Sequence, residues 1–342
     1  MEAVAETSEK AVFIANRKYT GHLFLSAGGF VVAILVNRLF AQVAEGVVIK
    51  DYQFGRLVFN MNDLYDLLLI ALAVGYIISG FLSYADKNAR AAYIKKAKFR
   101  FACGIALALW DVTGTKLQIL PQPFFPGPAG IAEAFLEEPE YIFTNTLYSL
   151  RLYVAGFSLG VLFGIGTGVL IGWFPKISYW VTPVLNITGV IPAVAWMPFA
   201  LTLLPTPFTA AVFLIIICAW FPIASLTAQG IMSTPKVMFE AAKTLGADTK
   251  YQIFRVAIPY AMPHIFTGIG TANAFAFTTL VMAEMMGQPG GLGYYINASK
   301  VWSAYYKVFA SIVVMAVLFS LISKGISIIR NRVLRWQKGL VV

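Results

Sequence analysis

The sequence has few of the residues from which enzymes usually build active sites. It contains two cysteines and two histidines among 342 residues, and only 12% of its residues are charged. Cys103 and Cys218 lie in apolar segments and form no C-x-x-C pair, so neither a metal site nor a disulfide framework is expected. The patterns H-E-x-x-H and G-x-x-x-x-G-K-[ST] are absent. We therefore expect this chain to bind no metal or cofactor and to hydrolyse no nucleotide.

Long apolar runs dominate the sequence. Hydrophobic residues make up 59% of the chain, and the mean hydropathy is +0.74. A helix needs roughly 20 apolar residues to cross a bilayer. The pattern predicts an all-α integral membrane protein with about eight transmembrane helices, at residues 22–43, 64–85, 99–115, 143–173, 178–204, 208–230, 258–284 and 304–329.

The charges are explained better by membrane topology than by nucleic-acid binding. The net charge is +10, but Lys and Arg lie mostly in loops and tails beside the apolar runs. The loop after the second predicted span is basic and the loop after the third is acidic, as expected for opposite sides of a membrane. The basic C-terminal tail then predicts that both termini are cytoplasmic and that the chain lies in the cytoplasmic (inner) membrane. These loops and the tail contain Lys87, Arg90, Lys95, Lys96, Lys98 and Arg100; Glu133, Glu137, Glu138 and Glu140; and Arg330, Arg332, Arg335 and Lys338.

The first 21 residues are too polar for a cleavable secretory signal. We expect them to form a cytoplasmic or interfacial segment, with a helix along the membrane surface that presents Val4, Val12 and Phe13 to lipid.

Glycine and proline mark the middle of the chain. A strict four-residue glycine ladder in the fourth predicted span predicts close helix packing, with a glycine-lined substrate path as the alternative. Prolines interrupt the following apolar runs, which favours a cavity between broken helices. Simple turns are an equal alternative for Pro205 and Pro207. The ladder consists of Gly156, Gly160, Gly164, Gly168 and Gly172, and the prolines are Pro183, Pro192, Pro198, Pro205, Pro207 and Pro222.

A polar loop at residues 233–259 separates the sixth and seventh predicted spans. Thr234 is expected to cap a short helix that Gly246 ends, and a second helix is expected from Asp248 to Pro259. A short amphipathic helix held outside the bilayer is suited to a groove on a cytoplasmic partner.

This loop resembles the EAA loop of binding-protein-dependent ABC importer permeases. The similarity consists of Glu240-Ala-Ala, Gly246 four positions after the second alanine, and the aliphatic Val256 and Ile258 before Pro259. Further stretches resemble motifs of the nitrate, sulfonate, taurine and bicarbonate branch, and the resemblance extends from about Leu120 to the C-terminus. These stretches are 120–128, 281–287 and 291–294.

The resemblance implies a permease subunit whose loop couples it to a separate ATPase subunit that holds ATP and Mg. It also implies a second permease copy, as a homodimer or with a paralogue, a soluble substrate-binding protein, and a small anion as substrate. The implied fold is a six-helix type I core at 99–330 with the coupling loop at 233–259, after a segment at 1–21 and two extra helices at 22–98, and before a basic tail at 331–342. The implied coupling residues are Glu240, Ala241, Ala242, Lys243, Leu245 and Gly246.

The translocation path or gate has several candidate residues. Glu284 is an intramembrane carboxylate, for which we favour structure or gating over binding because it would repel an anion. The other candidates are Trp196, Met197, Asn273, Thr278 and Thr279, with Arg151 and Asn186 as further cavity residues. A stand-alone channel or secondary transporter is the main alternative and would leave the EAA-like loop unexplained. An intramembrane enzyme is disfavoured because no His, Asp and Cys set converges.

Overall fold

The computed structural model describes residues 2–40, 49–54 and 56–336, with side chains from Tyr19 onward except those of Phe54 and Leu57. The lipid-facing side chains expected at the start of the chain and residues 337–342 of the basic tail lie outside this description. The chain divides into two compact units, and each is described by itself.

The first unit comprises residues 1–139 and 300–310. Three long helices form it, together with a short antiparallel hairpin in which Tyr52 pairs with Phe59. Asn60 begins the second helix with a reciprocal capping box to Asp63, and Asp86 caps the third. The elements are α1 (Glu2–Leu39), β1 (Tyr52–Phe54), β2 (Leu57–Phe59), α2 (Met61–Ser83), α3 (Lys87–Asp111), a π turn (Val112–Lys116) and α4 (Pro128–Glu137).

Two glycines allow α1 and α3 to cross in backbone contact. A Cβ atom on Gly29 would collide with the carbonyl group of Phe101, and one on Gly104 would collide with the backbone of Gly29. Close approach of this kind is how membrane helices pack without a hydrophobic driving force between them. The tight crossing therefore depends on the lack of a side chain at both positions.

A buried carboxylate also ties α1 to α2. Asp66 is 4% exposed, accepts a hydrogen bond of 2.8 Å from Asn37 Nδ2, and forms an ion pair with Arg38. Arg38 also pairs with the more exposed Asp63 at 2.8 Å. One arginine thus joins a buried and a more exposed carboxylate on the same helix.

We expect Asp66→Asn to lower the free energy of unfolding by about 1–2 kcal/mol, because a buried charge-assisted hydrogen bond is lost. Asp63→Asn removes the more exposed ion pair and should cost about 0.5 kcal/mol, because the asparagine oxygen can still accept from the Asn60 amide of the capping box. Thermal unfolding of the two purified variants in detergent measures the difference. Equal shifts in Tm would show that burial of Asp66 adds nothing.

The second unit comprises residues 140–299 and 311–342. Prolines at their first turn begin several of its helices, where a missing amide hydrogen costs nothing. Its elements are α5 (Pro139–Trp173), α6 (Pro175–Val190), a 3₁₀ turn (Ala193–Trp196), α7 (Met197–Leu203), α8 (Pro207–Met232), α9 (Lys236–Thr244), α10 (Thr249–Tyr251), a π turn (Gln252–Ala257), α11 (Ile258–Met285), α12 (Leu292–Val301) and α13 (Tyr305–Val333). Pro139, residues 300 and 301 of α12 and residues 305–310 of α13 belong to the first unit.

The glycine ladder of α5 faces a matching ladder on α8. A Cβ atom at each of the five glycines would lie 2.5–2.8 Å from a Cβ atom of α8. Gly166, which stands outside the ladder, has open space around it. The partners on α8 also recur every four residues and are Ile215, Ala219, Ile223, Thr227 and Ile231.

The all-α membrane architecture is confirmed. Within the described residues, six helices are long and apolar enough to cross a membrane, or seven if the bent pair α6 and Ala193–Leu203 is one span. The third predicted span, 99–115, is not among them. It is the end of α3, whose preceding turns carry Lys95, Lys96, Lys98 and Arg100, so the uncharged stretch at 101–110 is well short of roughly 20 residues.

Other predicted boundaries shift as well. The fifth predicted span, 178–204, is two segments bent by 104° rather than one helix. The first corresponds to Tyr19–Leu39, and residues 41–43 of that prediction lie outside the described residues. The orientation of the termini and the domain boundaries at 21, 98 and 330 stay predictions.

Candidate translocation cavity and coupling helix

A broken helix lines an apolar cavity of the second unit. Helix α6 ends at Val190, and the chain turns through 104° at Ile191-Pro192 before the 3₁₀ turn begins. Pro192 has no amide hydrogen, so the carbonyl of Thr188 loses its helical donor. Such backbone is tolerated at membrane depth where it is buried in protein or lines a cavity.

The cavity has a volume of about 460 Å³ and lies between the end of α6, the break, α8 and α11. Two of the predicted path residues, Thr278 and Thr279, line it together with Thr188, Cys218 and Phe221. The remaining predicted residues are elsewhere. Met197 is buried at the start of α7, and Trp196 precedes it, but neither lines the cavity.

Asn273 joins helices instead of facing the cavity. Its Oδ1 accepts a hydrogen bond from the Tyr153 hydroxyl of α5, and its Nδ2 donates to Ser323 Oγ of α13 at 2.9 Å. Arg151 lies with its guanidinium 5.1 Å from the ring centroid of Phe208, and Asn186 is exposed on α6. These residues thus have structural contacts or face outward.

The hydroxyls on the cavity wall already donate their hydrogens. Thr278 donates to the carbonyl of Ala274 at 3.1 Å, and Thr188 donates to that of Leu185 at 2.8 Å. Thr279 donates to Cys218 Sγ at 3.0 Å. A threonine hydroxyl has one hydrogen, so these side chains offer only lone pairs to an occupant.

Glu284 does not line the cavity; its carboxylate is hydrogen-bonded to the beginning of α12. Its Oε2 accepts a hydrogen bond of 2.8 Å from the amide of Gly293. On α5, Ser149 Oγ accepts from the amide of Leu292 at 2.8 Å, and Asn145 Oδ1 accepts from that of Gly291 at 2.9 Å. Three side chains therefore accept hydrogen bonds from three consecutive backbone amides at a helix N-terminus, where acceptors and negative charge are favoured. We call Asn145, Ser149 and Glu284 the amide clamp.

The clamp requires glycine beside it. Gly291 has φ +110°, a conformation that L side chains rarely adopt, and a Cβ atom there would collide with the Glu284 carboxylate. Sequence reasoning found Glu284 but missed Asn145 and Ser149. Their spacing of four residues places them on one face of α5, yet nothing in the sequence marks that face as a partner of residues 291–293.

The predicted coupling loop forms a short exposed helix, α9. Among the predicted coupling residues, Ala242 is half-buried and the others are exposed; Leu245 is 89% exposed. Gly246 follows with φ +82°, the left-handed conformation of a helix C-terminal stop. The other exposed coupling residues are Glu240, Ala241 and Lys243.

One aromatic contact, which sequence reasoning missed, attaches α9 to the membrane helices. The ring of Phe239 meets Trp173 at the end of α5 edge to face, with centroids 5.3 Å apart. Phe239 also packs against a buried cluster that includes Ile231 and Ala261. Phe239 thereby connects α9 to the ends of α5, α8 and α11 through side-chain contacts.

Two details of the predicted loop are wrong. Thr234 is not the cap: its hydroxyl reaches back to the carbonyl of Gly230, and Pro235 occupies the cap position. Asp248 does cap a helix, accepting from the amide of Tyr251 at 2.7 Å, but that helix does not end at Pro259. The π turn at 252–257 widens the hydrogen-bond pattern and Pro259 falls in the first turn of α11, so one apolar helix runs from Thr249 to Met285.

Comparison with known proteins assigns the family. The family of binding-protein-dependent transport system inner membrane components matches residues 160–338, about half of the chain. The putative aliphatic sulfonates transport permease of Bacillus subtilis is 29% identical over 240 residues, 69% of this chain and 86% of that protein. The nitrate import permease of Synechococcus elongatus is 30% identical over 234 residues, 63% of this chain and 81% of that protein.

One solved structure supports the fold. It is an inward-facing conformation of the MetNI methionine ABC transporter, 20% identical, with a TM-score of 0.50 over 56% of this chain and 96% of that one. A likeness at that identity concerns the fold alone. The family match and the relatives nevertheless agree with the membrane helices, and this chain belongs to the binding-protein-dependent transport system inner membrane components, the permeases of ABC importers.

Proposed function

We propose that this chain forms, with a second copy or a paralogue, the transmembrane path of an importer for a small anion. Separate ATP-binding subunits supply the energy and hold ATP and Mg, and a soluble binding protein delivers the substrate. The chain lies in the inner membrane with both termini cytoplasmic. Relatives named for aliphatic sulfonates and nitrate support an anion such as these, and the amphipathic α9 supports the partnership with an ATPase.

The single observation that carries the proposal is the exposed apolar surface of α9. Val237 is 71% exposed and Met238 43% on α9, and Leu245, directly after its last residue, is 89% exposed; all three lie outside the candidate spans. Apolar side chains clustered in this way on a polar helix mark a protein contact. A helix that presents such anchors is suited to a groove on a partner.

We expect Leu245→Asp to reduce ATP-driven uptake about tenfold or more, because a charge replaces an apolar anchor of the contact. Uptake into proteoliposomes that contain the complete transporter measures this. Thr249→Asp places the same charge four residues later at an exposed polar position and should leave uptake within about twofold.

Replacements of Glu240 or Gly246 should also uncouple transport without abolishing membrane insertion. Gly246→Val forces a branched side chain into φ +82° and so changes how α9 ends. Normal ATP-driven uptake in the Leu245, Glu240 and Gly246 variants would reject the coupling role.

A stand-alone channel or secondary transporter is the second candidate, because broken helices occur in those proteins too. It predicts uptake by the isolated chain in liposomes without ATP. Uptake that requires both ATP and the ATPase subunit rejects this candidate.

A further inference from the structure

The first half of α3 carries arginines that turn inward and lysines that turn outward. The guanidinium of Arg100 lies 4.1 Å from the ring centroid of Tyr93, and Arg90 lies over a tyrosine ring in the same way. Lys95 and Lys98, by contrast, are exposed. The arginines are therefore held by aromatic rings inside the first unit, whereas the two lysines are accessible to a partner.

The contact between α1 and α3 fixes the depth of these lysines. Gly29, against which the backbone of Phe101 packs, is the middle residue of the candidate span Tyr19–Leu39. Lys98 and Lys95 precede Phe101 by three and six residues, which is about 4.5 and 9 Å along a helix. Half of a hydrocarbon core is about 15 Å thick. Both lysines therefore leave α3 at the depth of the acyl chains of one leaflet.

Lys95 and Lys98 share one face of α3 with exposed apolar residues. Residues three or four apart are neighbours on a helix, so Lys95 lies beside both Lys98 and Phe99, which is 71% exposed. The face continues toward the middle of the span through the exposed Ala102, four residues after Lys98. The opposite face packs inside the unit, and Ala97 on it is fully buried. The outer face thus presents two ammonium groups followed by an apolar stripe.

A lysine at this depth needs an anion or the polar headgroup layer. An unpaired ammonium among acyl chains is costly, and lysine reduces that cost by extending its apolar stem toward the headgroups. Among the described residues, no carboxylate forms an ion pair with Lys95 or Lys98. The phosphate of a lipid can supply the missing charge, and basic clusters beside membrane helices attract anionic lipids.

We propose that Lys95 and Lys98 bind the headgroup phosphate of an anionic phospholipid, with an acyl chain along Phe99 and Ala102. The charges are complementary, and the charged and apolar parts of the face follow each other in the same order as those of the lipid. Helix α3 lies outside the family match at 160–338, so this site belongs to the additional helices of this chain.

Lipid binding to the full-length chain in detergent tests the proposal. Native mass spectrometry counts the molecules of phosphatidylglycerol or phosphatidylcholine that stay bound during a titration. Wild type should bind phosphatidylglycerol about fivefold more tightly than phosphatidylcholine or better, and Lys95→Gln and Lys98→Gln should each weaken phosphatidylglycerol binding about fivefold. The double variant Lys95→Arg with Lys98→Arg keeps both charges and should stay within about threefold of wild type.

Lys96→Gln is the matched control. It removes the same charge from an exposed lysine at nearly the same depth. Lys96 stands about 100° around the helix from Lys95 and about 160° from Lys98, so it cannot share a phosphate with Lys98. Its binding of phosphatidylglycerol should therefore stay within about twofold of wild type.

Three results would overturn the proposal. Equal losses in the variants of Lys95, Lys96 and Lys98 would mean that net charge attracts the lipid without a site. Unchanged binding in all three would mean that this face meets an acidic protein surface and not a lipid. Displacement of phosphatidylglycerol by an equal concentration of soluble glycerol phosphate would show that the acyl chain makes no contact with Phe99 and Ala102.

Discussion

Replacing Glu284 with alanine should lower the free energy of unfolding by about 3–5 kcal/mol and abolish transport. The change removes the acceptor of the Gly293 amide and leaves a space at a fully buried position. Asn145 and Ser149 would still hold the amides of Gly291 and Leu292, so α12 should loosen at its beginning instead of unfolding entirely. Thermal unfolding in detergent, together with uptake, measures both effects.

Glu284→Gln separates the amide clamp from a role in the path. Glutamine keeps an oxygen that can accept from Gly293, so its unfolding free energy should stay within about 1 kcal/mol of wild type. If the negative charge acted directly on a passing anion, glutamine would change uptake as much as alanine while its Tm stayed near that of the wild type. Such a result would reject the positioning role of Glu284.

Replacing Gly168 with alanine should destabilise the protein by about 3 kcal/mol. The new Cβ atom would lie 2.5 Å from Thr227 Cβ and 2.7 Å from the carbonyl oxygen of Ala224. The carbonyl oxygen belongs to the backbone of α8 and cannot rotate away as the end of a flexible side chain can. Helices α5 and α8 must therefore separate along their length. The loss is measured as a fall in Tm and as a reduced yield of folded protein in the membrane.

Gly166→Ala is the matched control in the same helix. A Cβ atom at Gly166 meets nothing within 4 Å, so the change should be neutral or stabilise the helix by up to about 1 kcal/mol. The difference between the two variants therefore reports contact with α8 and not helix propensity. Equal Tm values would mean that the glycine ladder is not under close contact.

The four-residue glycine ladder could be predicted from the sequence because its cause is local. Residues four apart lie close to one stripe of a helix, and glycines along such a stripe indicate close helix packing whichever helix is the partner. The exposed coupling helix is readable for the same reason, since Gly246 and the alternation of apolar and charged residues lie within a few turns. The identity of α8 as the partner, with its own four-residue series from Ile215 to Ile231, came only from the structure.

Local patterns failed where distant packing changes the outcome. Pro259 predicts a helix end, but the π turn at 252–257 joins α10 to α11, and Pro259 lies in the first turn of α11. Pro192 predicted that the apolar run is interrupted, but not that the chain bends there by 104°. The apolar end of α3 looked like a span although the basic turns before it leave too little uncharged length.

The sequence by itself determined that this chain is a membrane protein, where most of its apolar helices lie and which loop resembles a coupling helix. These properties follow from the free-energy cost of exposing backbone polar groups and charges to lipid, which depends on the residues of each segment by itself. Only the tertiary structure decided that Glu284 holds α12 and that the threonines of the cavity wall have no hydrogen to donate. Asn145 and Gly291 are 146 positions apart in the chain, and only the packing of α5 against the start of α12 brings the oxygen of one to the amide of the other.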